Sequence, residues 1–556
     1  MANSHLLNLP REIRNQIYED YLTGGDDGGY IFNFASATFK DRSTQAAIDL
    51  NLMYTCRQIA AEMHSLPFRF NTLYFSTAYD DELRLAAGRF QNLLLRMSED
   101  QREILYMIVV EINRQRSQPR PVCSPKVLEK ARTPPLCSVW PLWDLDGQHR
   151  DIDGTGVMRD VCPCLGQIPS VYREAQKNAT LLFSNDETIT HETCRALKEL
   201  YCWADNPNLS ALLQFQDRPW AIPTKSELSQ LEINQVTRMM ALEKIPIPHA
   251  DDGSASPTEH GSIWRRARAK LRFSAASVAI RFLNSLSPEK RLWIRNVVVL
   301  EDASSVPYPE CHALGLIPFC QENPKLRIDR RVNLWRNILL DAKDWFRGGI
   351  FRSWRDDLPA VVEERAGWWA PMGENGEIMA DQITALIAEW LSEASVLCDA
   401  GMPRGVFTLT IDGDPAPEQS SEIFAKYVHR DAAWQIVAEE HFMAADTANH
   451  LQPHDFINVW NGERIRAYQC KNFPQVLADM VDGTSTYGVR VRSNFDPGPM
   501  WTRTELNGMI QEVKRDGLTA EDWAQQWSSS RWTGGYWTRS PLPKFRDLLF
   551  EDVIRD

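Results

Sequence analysis

Cys162-Pro-Cys164 is the closest pair of metal-type ligands in the chain, and with His149, His191 or Cys194 it could complete a tetrahedral zinc site of thiolate and imidazole. The spacing lacks the second matching knuckle of a zinc finger, so two structural thiols and no metal are expected. Asp151-Ile-Asp-Gly154 with Asp160 has the outline of a calcium loop. His149 takes its first ligand position and Gly156 the apolar position after the turn, which argues against a hard cation. The carboxylate pairs Asp80-Asp81, Glu363-Glu364 and Asp412-Gly-Asp414 have the chemistry of an acid and a base, but also of solvated turns. His441, His450 and His454 collect near a helix C-terminus, where the helix dipole accounts for them without catalysis.

Nucleotide and acyl-transfer chemistry has no sequence support. The chain has no glycine-rich run ending in Gly-Lys-Ser/Thr and no Gly-x-Gly-x-x-Gly entering a helix. It also has no Gly-x-Ser-x-Gly elbow, and His191-Glu192 lacks a second histidine for zinc. No catalytic residue and no cofactor are therefore expected. The best candidate for recognition is the aromatic tail, with Trp523, Trp527, Trp532 and Trp537 after Trp501 and with Gly534-Gly535-Tyr536 before the last ring. Such rings could stack on a ligand or grip a peptide, the alternative being packing within a core or between domains.

These groups must be positioned by a long chain. At 556 residues it exceeds what one hydrophobic core usually supports, and its 43% apolar and 24% charged residues are those of a globular protein. A formal charge of -13 opposes nucleic acid and anionic membrane. The basic run Arg265, Arg266, Arg268, Lys270 and Arg272 reads as the solvated face of a helix, so no nucleic-acid partner is expected. The eleven cysteines are scattered and odd in number, which suits reduced thiols in cytoplasm or nucleus. The apolar run from Ile104 to Val110 is far shorter than the roughly 18 residues of a membrane span, so no membrane partner is expected.

Pro10 opens a helix to Leu22 at a position that needs no backbone donor, and Ile13, Ile17 and Tyr21 recur every four residues as one apolar stripe. Gly24-Gly25 stops it, and a strand pair is expected between Tyr30 and Phe39. Leu52, Cys56, Ile59, Met63 and Leu66 mark a second helix closed by Pro67, before an extended Leu73 to Phe75. A faint repeat links Phe90–Glu111 to Phe282–Glu301. Ser98 to Arg102 precedes Ile108-Val-Val110 as Ser287 to Arg291 precedes Val297-Val-Val299, each a helix, a charged turn and a buried strand covered on both faces. Later stripes at Leu334, Ile338, Ala342, Trp345 and at Ile383, Ile387, Trp390, Ala394, Leu397 are helical, as is 422–448, while 406–411 and 487–492 alternate like strands.

The expected fold is mixed α and β, predominantly helical, with N-terminal helices followed by an irregular helix-rich body with a few strands. Its segments are an N-terminal region 1–113, a Pro-rich insertion or linker 114–170, a helix-rich middle 171–350 with a repeat-like strand near 294–300, and a mostly helical 351–556 with the tryptophan tail.

Leu9-Pro10-Arg-Glu-Ile13-Arg-Asn-Gln-Ile17-Tyr18, then Thr55-Cys56-Arg57-Gln58-Ile59 with Glu62, then Phe68-Arg-Phe-Asn-Thr72, resembles the F-box-like domain of a group of filamentous-fungal proteins. The match covers about the first seventy-five residues, and Leu286–Leu300 looks like a block found downstream in the same proteins. The resemblance implies a protein-interaction role, with a ubiquitin-ligase adaptor and an unknown protein substrate as partners. Leu9, Pro10, Ile13, Ile17 and Leu22 would face the adaptor, supported by Cys56, Ile59 and Met63. The glycine-rich turn and hairpin between Leu22 and Leu52 depart from a compact F-box, and a hairpin folded over Ile13 and Ile17 would close that face. The other readings left open are an enzyme whose pocket forms near the C-terminal tryptophans and a scaffold with no ubiquitin role.

Overall fold

The computed structural model describes residues 5–23, 29–80, 82–91, 93–94, 97, 168, 170–171, 173–174, 177, 218–233, 270–339, 377–443, 459–460, 463–464, 470–518 and 539–541. The chain opens with α1 (Arg11–Thr23), the hairpin β1 (Gly29–Asn33) and β2 (Thr38–Asp41), α2 (Arg57–Met63), α3 (Leu66–Phe70) and β3 (Thr72–Ser76). It continues through α4 (Ala275–Ser285), α5 (Pro288–Arg291), β4 (Asn296–Glu301), α6 (Ile317–Glu322) and β5 (Arg327–Asn333). After these come α7 (Ala380–Ser395), β6 (Phe407–Asp412), α8 (His429–Ala438), α9 (Phe473–Asp482), β7 (Arg490–Ser493) and α10 (Arg503–Asp516). The mixed, mainly helical composition agrees with the sequence reading.

The boundaries have local causes. Ser274 caps α4 by accepting the Ser277 amide at 3.0 Å. Thr502 and Glu505 form a reciprocal capping box on α10, and Gly517 ends that helix at φ 62°. Pro67 does not close a helix. It sits in the first turn of α3, where its missing N–H costs nothing.

The helices gather around one seven-stranded sheet of order β7-β6-β5-β4-β3-β1-β2, which makes the body more ordered than a few scattered strands. Only the β1–β2 hairpin is antiparallel. Strands from segments 1–113, 171–350 and 351–556 hydrogen-bond into this sheet. From β1 to β7 each new parallel strand is laid on the same side of the last, so the order never reverses and no switch-point crevice for a nucleotide is created. Right-handed crossovers that all advance one way place their helices on one face.

Burial agrees with that placement. Leu73, Val297, Ile328 and Phe407 share one row across β3 to β6, and Phe75, Val299, Leu409 and Val491 share the next but one; all are buried. Phe32, Phe39, Phe75 and Phe282 stack at the hairpin end of the same core, with ring centroids 5.1 to 5.9 Å apart. The alternate residues Thr72, Tyr74, Ser76, Asp329, Arg331 and Thr408 are half-exposed, and Asn296, Arg327, Arg490 and Arg492 are exposed. A parallel sheet with a polar face that is exposed at Asn296, Arg327, Arg490 and Arg492 departs in part from the usual rule that both faces are covered. The Val297–Val299 strand is buried as expected, since Val298 on the polar face is buried like its two helix-side neighbours.

Candidate adaptor-docking site

α1 carries two stripes of four-residue spacing, one residue apart and so about 100° apart around the helix. Arg14, Tyr18 and Leu22 are buried, and Tyr18 and Leu22 form a small core with Ile59, Met63 and Leu66 that is separate from the core under the sheet. Leu9, Ile13 and Ile17 are 37%, 41% and 36% exposed, beside an exposed Pro10. The sequence expectation for Leu22 is therefore corrected. It lies on the inner stripe, 6% exposed, and cannot meet a partner there. Tyr21 is half-buried, and its hydroxyl accepts the Leu52 amide at 3.3 Å.

One carboxylate fastens this unit. Glu62 accepts Arg14 Nε at 2.9 Å and Nη2 at 2.7 Å, Tyr18 Oη at 2.8 Å, and Arg11 Nη1 at 2.7 Å. Arg14 Nη1 donates to the Leu9 carbonyl at 2.5 Å, which fixes the turn that presents Leu9 and Pro10. The Arg14 hydrogen bonds, foremost among these contacts, hold the Glu62 carboxyl down at about 2, against the opposing effect of burial. The Cys56 thiol accepts the Ile59 amide at 3.5 Å and caps α2.

The hairpin leaves the outer stripe uncovered. β1 and β2 form the rim of the sheet and turn Phe32 and Phe39 into its core. The unit is tied to that rim by Tyr30, whose hydroxyl donates to the Leu22 carbonyl at 3.4 Å and accepts Asn71 Nδ2 at 3.0 Å.

The other sequence candidates are placed elsewhere. Trp523, Trp527, Trp532 and Trp537 lie outside the described residues, as do Cys162, Cys164, His149, His191, Cys194, the Asp151–Asp160 loop, Glu363, Glu364, His450 and His454. Asp80 accepts the Leu83 amide at 2.7 Å as a helix cap. Asp412 accepts the Asp414 amide at 3.0 Å and Asn494 Nδ2 at 2.7 Å within a turn. Among the described residues no group of His, Cys, Asp and Glu could hold a metal ion, and no helix is long and apolar enough to cross a membrane.

One constellation with the outline of nucleophile chemistry was not signalled by the sequence. Ser274 Oγ lies 2.6 Å from His312 Nδ1, and His312 Nε2 lies 2.8 Å from the Pro307 carbonyl. That carbonyl can only accept, so Nε2 carries the proton and Nδ1 receives the seryl hydroxyl. Beside the pair, Glu301 accepts the Ala275 and Ala276 amides at 2.9 and 3.2 Å and Arg330 Nη2 at 2.6 Å. Burial drives the His312 imidazole well below its ordinary range. Ser274 and His312 are both fully buried, so the cluster acts as the N-terminal cap of α4 and offers a substrate no approach. Its members are spread from 274 to 330, which is why no spacing reveals them.

Comparison with family models, with curated proteins and with solved structures finds no match to this chain.

Proposed function

We propose that the N-terminal unit is an F-box-like docking module, which binds the adaptor subunit of a cullin-RING ubiquitin ligase through Leu9, Pro10, Ile13 and Ile17. The sheet and its helices would then form the part that selects a protein substrate. The observation that carries this reading is the outward stripe: aliphatic side chains held in the open by a helix whose adjacent face already has its own core. Covering these side chains would contribute about 1 kcal/mol each, enough in sum to anchor a partner helix.

The test is a pull-down of purified adaptor by the full chain and by an Ile13→Asp, Ile17→Asp variant, with the melting curve of each recorded first. The variant is expected to keep its melting curve and lose the adaptor. Equal recovery by both proteins would remove the ligase reading.

A further inference from the structure

The open face of the sheet is not evenly polar. β6 runs between β5 and β7, and the register sets Asp329, Thr408 and Arg490 in one row and Arg331, Thr410 and Arg492 in the next. Arg327 stands on the same face of β5, two residues before Asp329. Arginines from the strands on either side flank the threonines of β6 in a shallow trough, and Arg492 reaches across it, its Nε donating to Thr410 Oγ1 at 3.0 Å over a buried Thr410.

Asp329 is the one outward carboxylate in these rows, and it is already engaged. Its Oδ2 accepts Arg331 Nε and Arg492 Nη2, both at 2.8 Å, and its Oδ1 accepts Thr410 Oγ1 at 2.8 Å. These bonds gather the Arg331 and Arg492 guanidinium groups on one carboxylate oxygen, with Arg492 lying across β6, and leave the two side chains 39% and 50% exposed. Arg327 and Arg490 are exposed and have no carboxylate partner among the described residues. In a chain of net charge -13, four arginines against two aspartates, Asp329 and the Asp412 that follows Thr410 on the same face of β6, invert the local sign.

We infer that this trough binds an acidic polypeptide segment laid along β6, with its Asp and Glu carboxylates paired to Arg327, Arg331, Arg490 and Arg492. The planar guanidinium fork matches a carboxylate with two parallel hydrogen bonds, and an extended segment would lie over the arginines. A nucleic acid is a poorer fit. None of the residues forming the trough is aromatic, and the Tyr74 ring further along the face is covered by Arg42 at 4.3 Å. The chain's overall negative field also opposes a long polyanion more than a short acidic segment. This inference does not depend on adaptor binding, which uses the other end of the sheet.

The test is fluorescence anisotropy of a labelled synthetic peptide of alternating Glu and Ser, titrated with the full chain at low and high salt. A Lys and Ser peptide and a single-stranded oligonucleotide serve as rivals. The acidic peptide is expected to bind best, to weaken with salt, and to lose about tenfold in affinity in Arg327→Glu, Arg490→Glu. The Ile13→Asp, Ile17→Asp variant is expected to bind it unchanged, which separates this result from the fate of the ligase reading. If the glutamate pair disturbs folding, as read by circular dichroism, Arg327→Gln, Arg490→Gln decides with a smaller loss in the same direction. Equal binding of the acidic and basic peptides, tighter binding of the oligonucleotide, or unchanged affinity in the folded variant would each overturn the inference.

Discussion

Arg291 grips Glu322 side-on, Nε to Oε2 at 2.6 Å and Nη2 to Oε1 at 2.9 Å, while its Nη1 donates to the Leu286 carbonyl at 2.7 Å. Arg14 makes the same three contacts with Glu62 and the Leu9 carbonyl. In both places a leucine carbonyl lies five residues before the arginine, and a proline stands between them. The repeated clamp has one physical logic: a guanidinium fork satisfies an orphan carbonyl at a turn and docks the helix that follows onto a distant one.

The Glu62 clamp should show in acid. Its carboxyl is held at about 2 in the folded chain against an ordinary 4.5, so its contribution is complete above pH 4.5 and is lost as the pH falls toward 2. Protection of the α1 amides, taken as exchange relative to the intrinsic rate at each pH, is expected to fall across that window in the wild type. A Glu62→Gln variant is expected to exchange faster at neutral pH and to respond less to acid.

The two stripes of α1 should separate in stability measurements. Ile13→Ser and Ile17→Ser are expected to cost about 1 kcal/mol or less each, because neither side chain fills a core. Tyr18→Ala and Met63→Ala empty fully buried positions and are expected to cost about 2 to 5 kcal/mol. Urea unfolding followed by circular dichroism reads the difference, and similar losses at all four positions would contradict the assigned faces.

Gly29 lies where β1 meets β3, and a Cβ there would sit 2.5 Å from Tyr74 Cε2 and 2.8 Å from the Thr72 carbonyl oxygen. A ring can turn aside, but a paired backbone oxygen cannot. Gly29→Ala is expected to destabilise the hairpin rim by about 1 to 3 kcal/mol, seen as a lower melting temperature.

Glu393 predicts a second pH dependence of opposite sense. Burial pushes its carboxyl up from 4.5 to about 7, against the pull of Arg173, while its Oε1 accepts the Ser170 amide at 2.7 Å. The unfolded chain therefore ionises first, and the folded state loses stability as the pH rises from 4.5 to 7. A Glu393→Gln variant is expected to flatten the melting temperature across that range, and an unchanged slope would show that the group does not titrate there.

Elements written in apolar periodicity were legible in the sequence: α1, the hairpin, β3, β4, α7, β6 and β7 all fall where alternation or four-residue spacing put them. β5 was not, because its inward residue Arg330 and outward residues Asp329 and Arg331 break the apolar pattern, and Arg330 is buried with Glu301, the Pro309 and Glu310 carbonyls and the Trp390 ring as partners. The seven-stranded sheet was hidden for a related reason, since pairing joins strands from Gly29 to Ser493 and local patterns carry no partner. On α1 the outer stripe was found and the inner one missed. Arg14 and Tyr18 do not look like core until Glu62 is brought beside them.

The unreversed strand order makes the sheet a ruler. Rim to rim, from β2 to β7, it spans six strand spacings, about 29 Å, fixed by backbone hydrogen bonds that no side-chain change can stretch. Two bodies gripped near its opposite margins would be held at a set separation, so the molecule's geometry governs how far apart they stand, whatever each of them is.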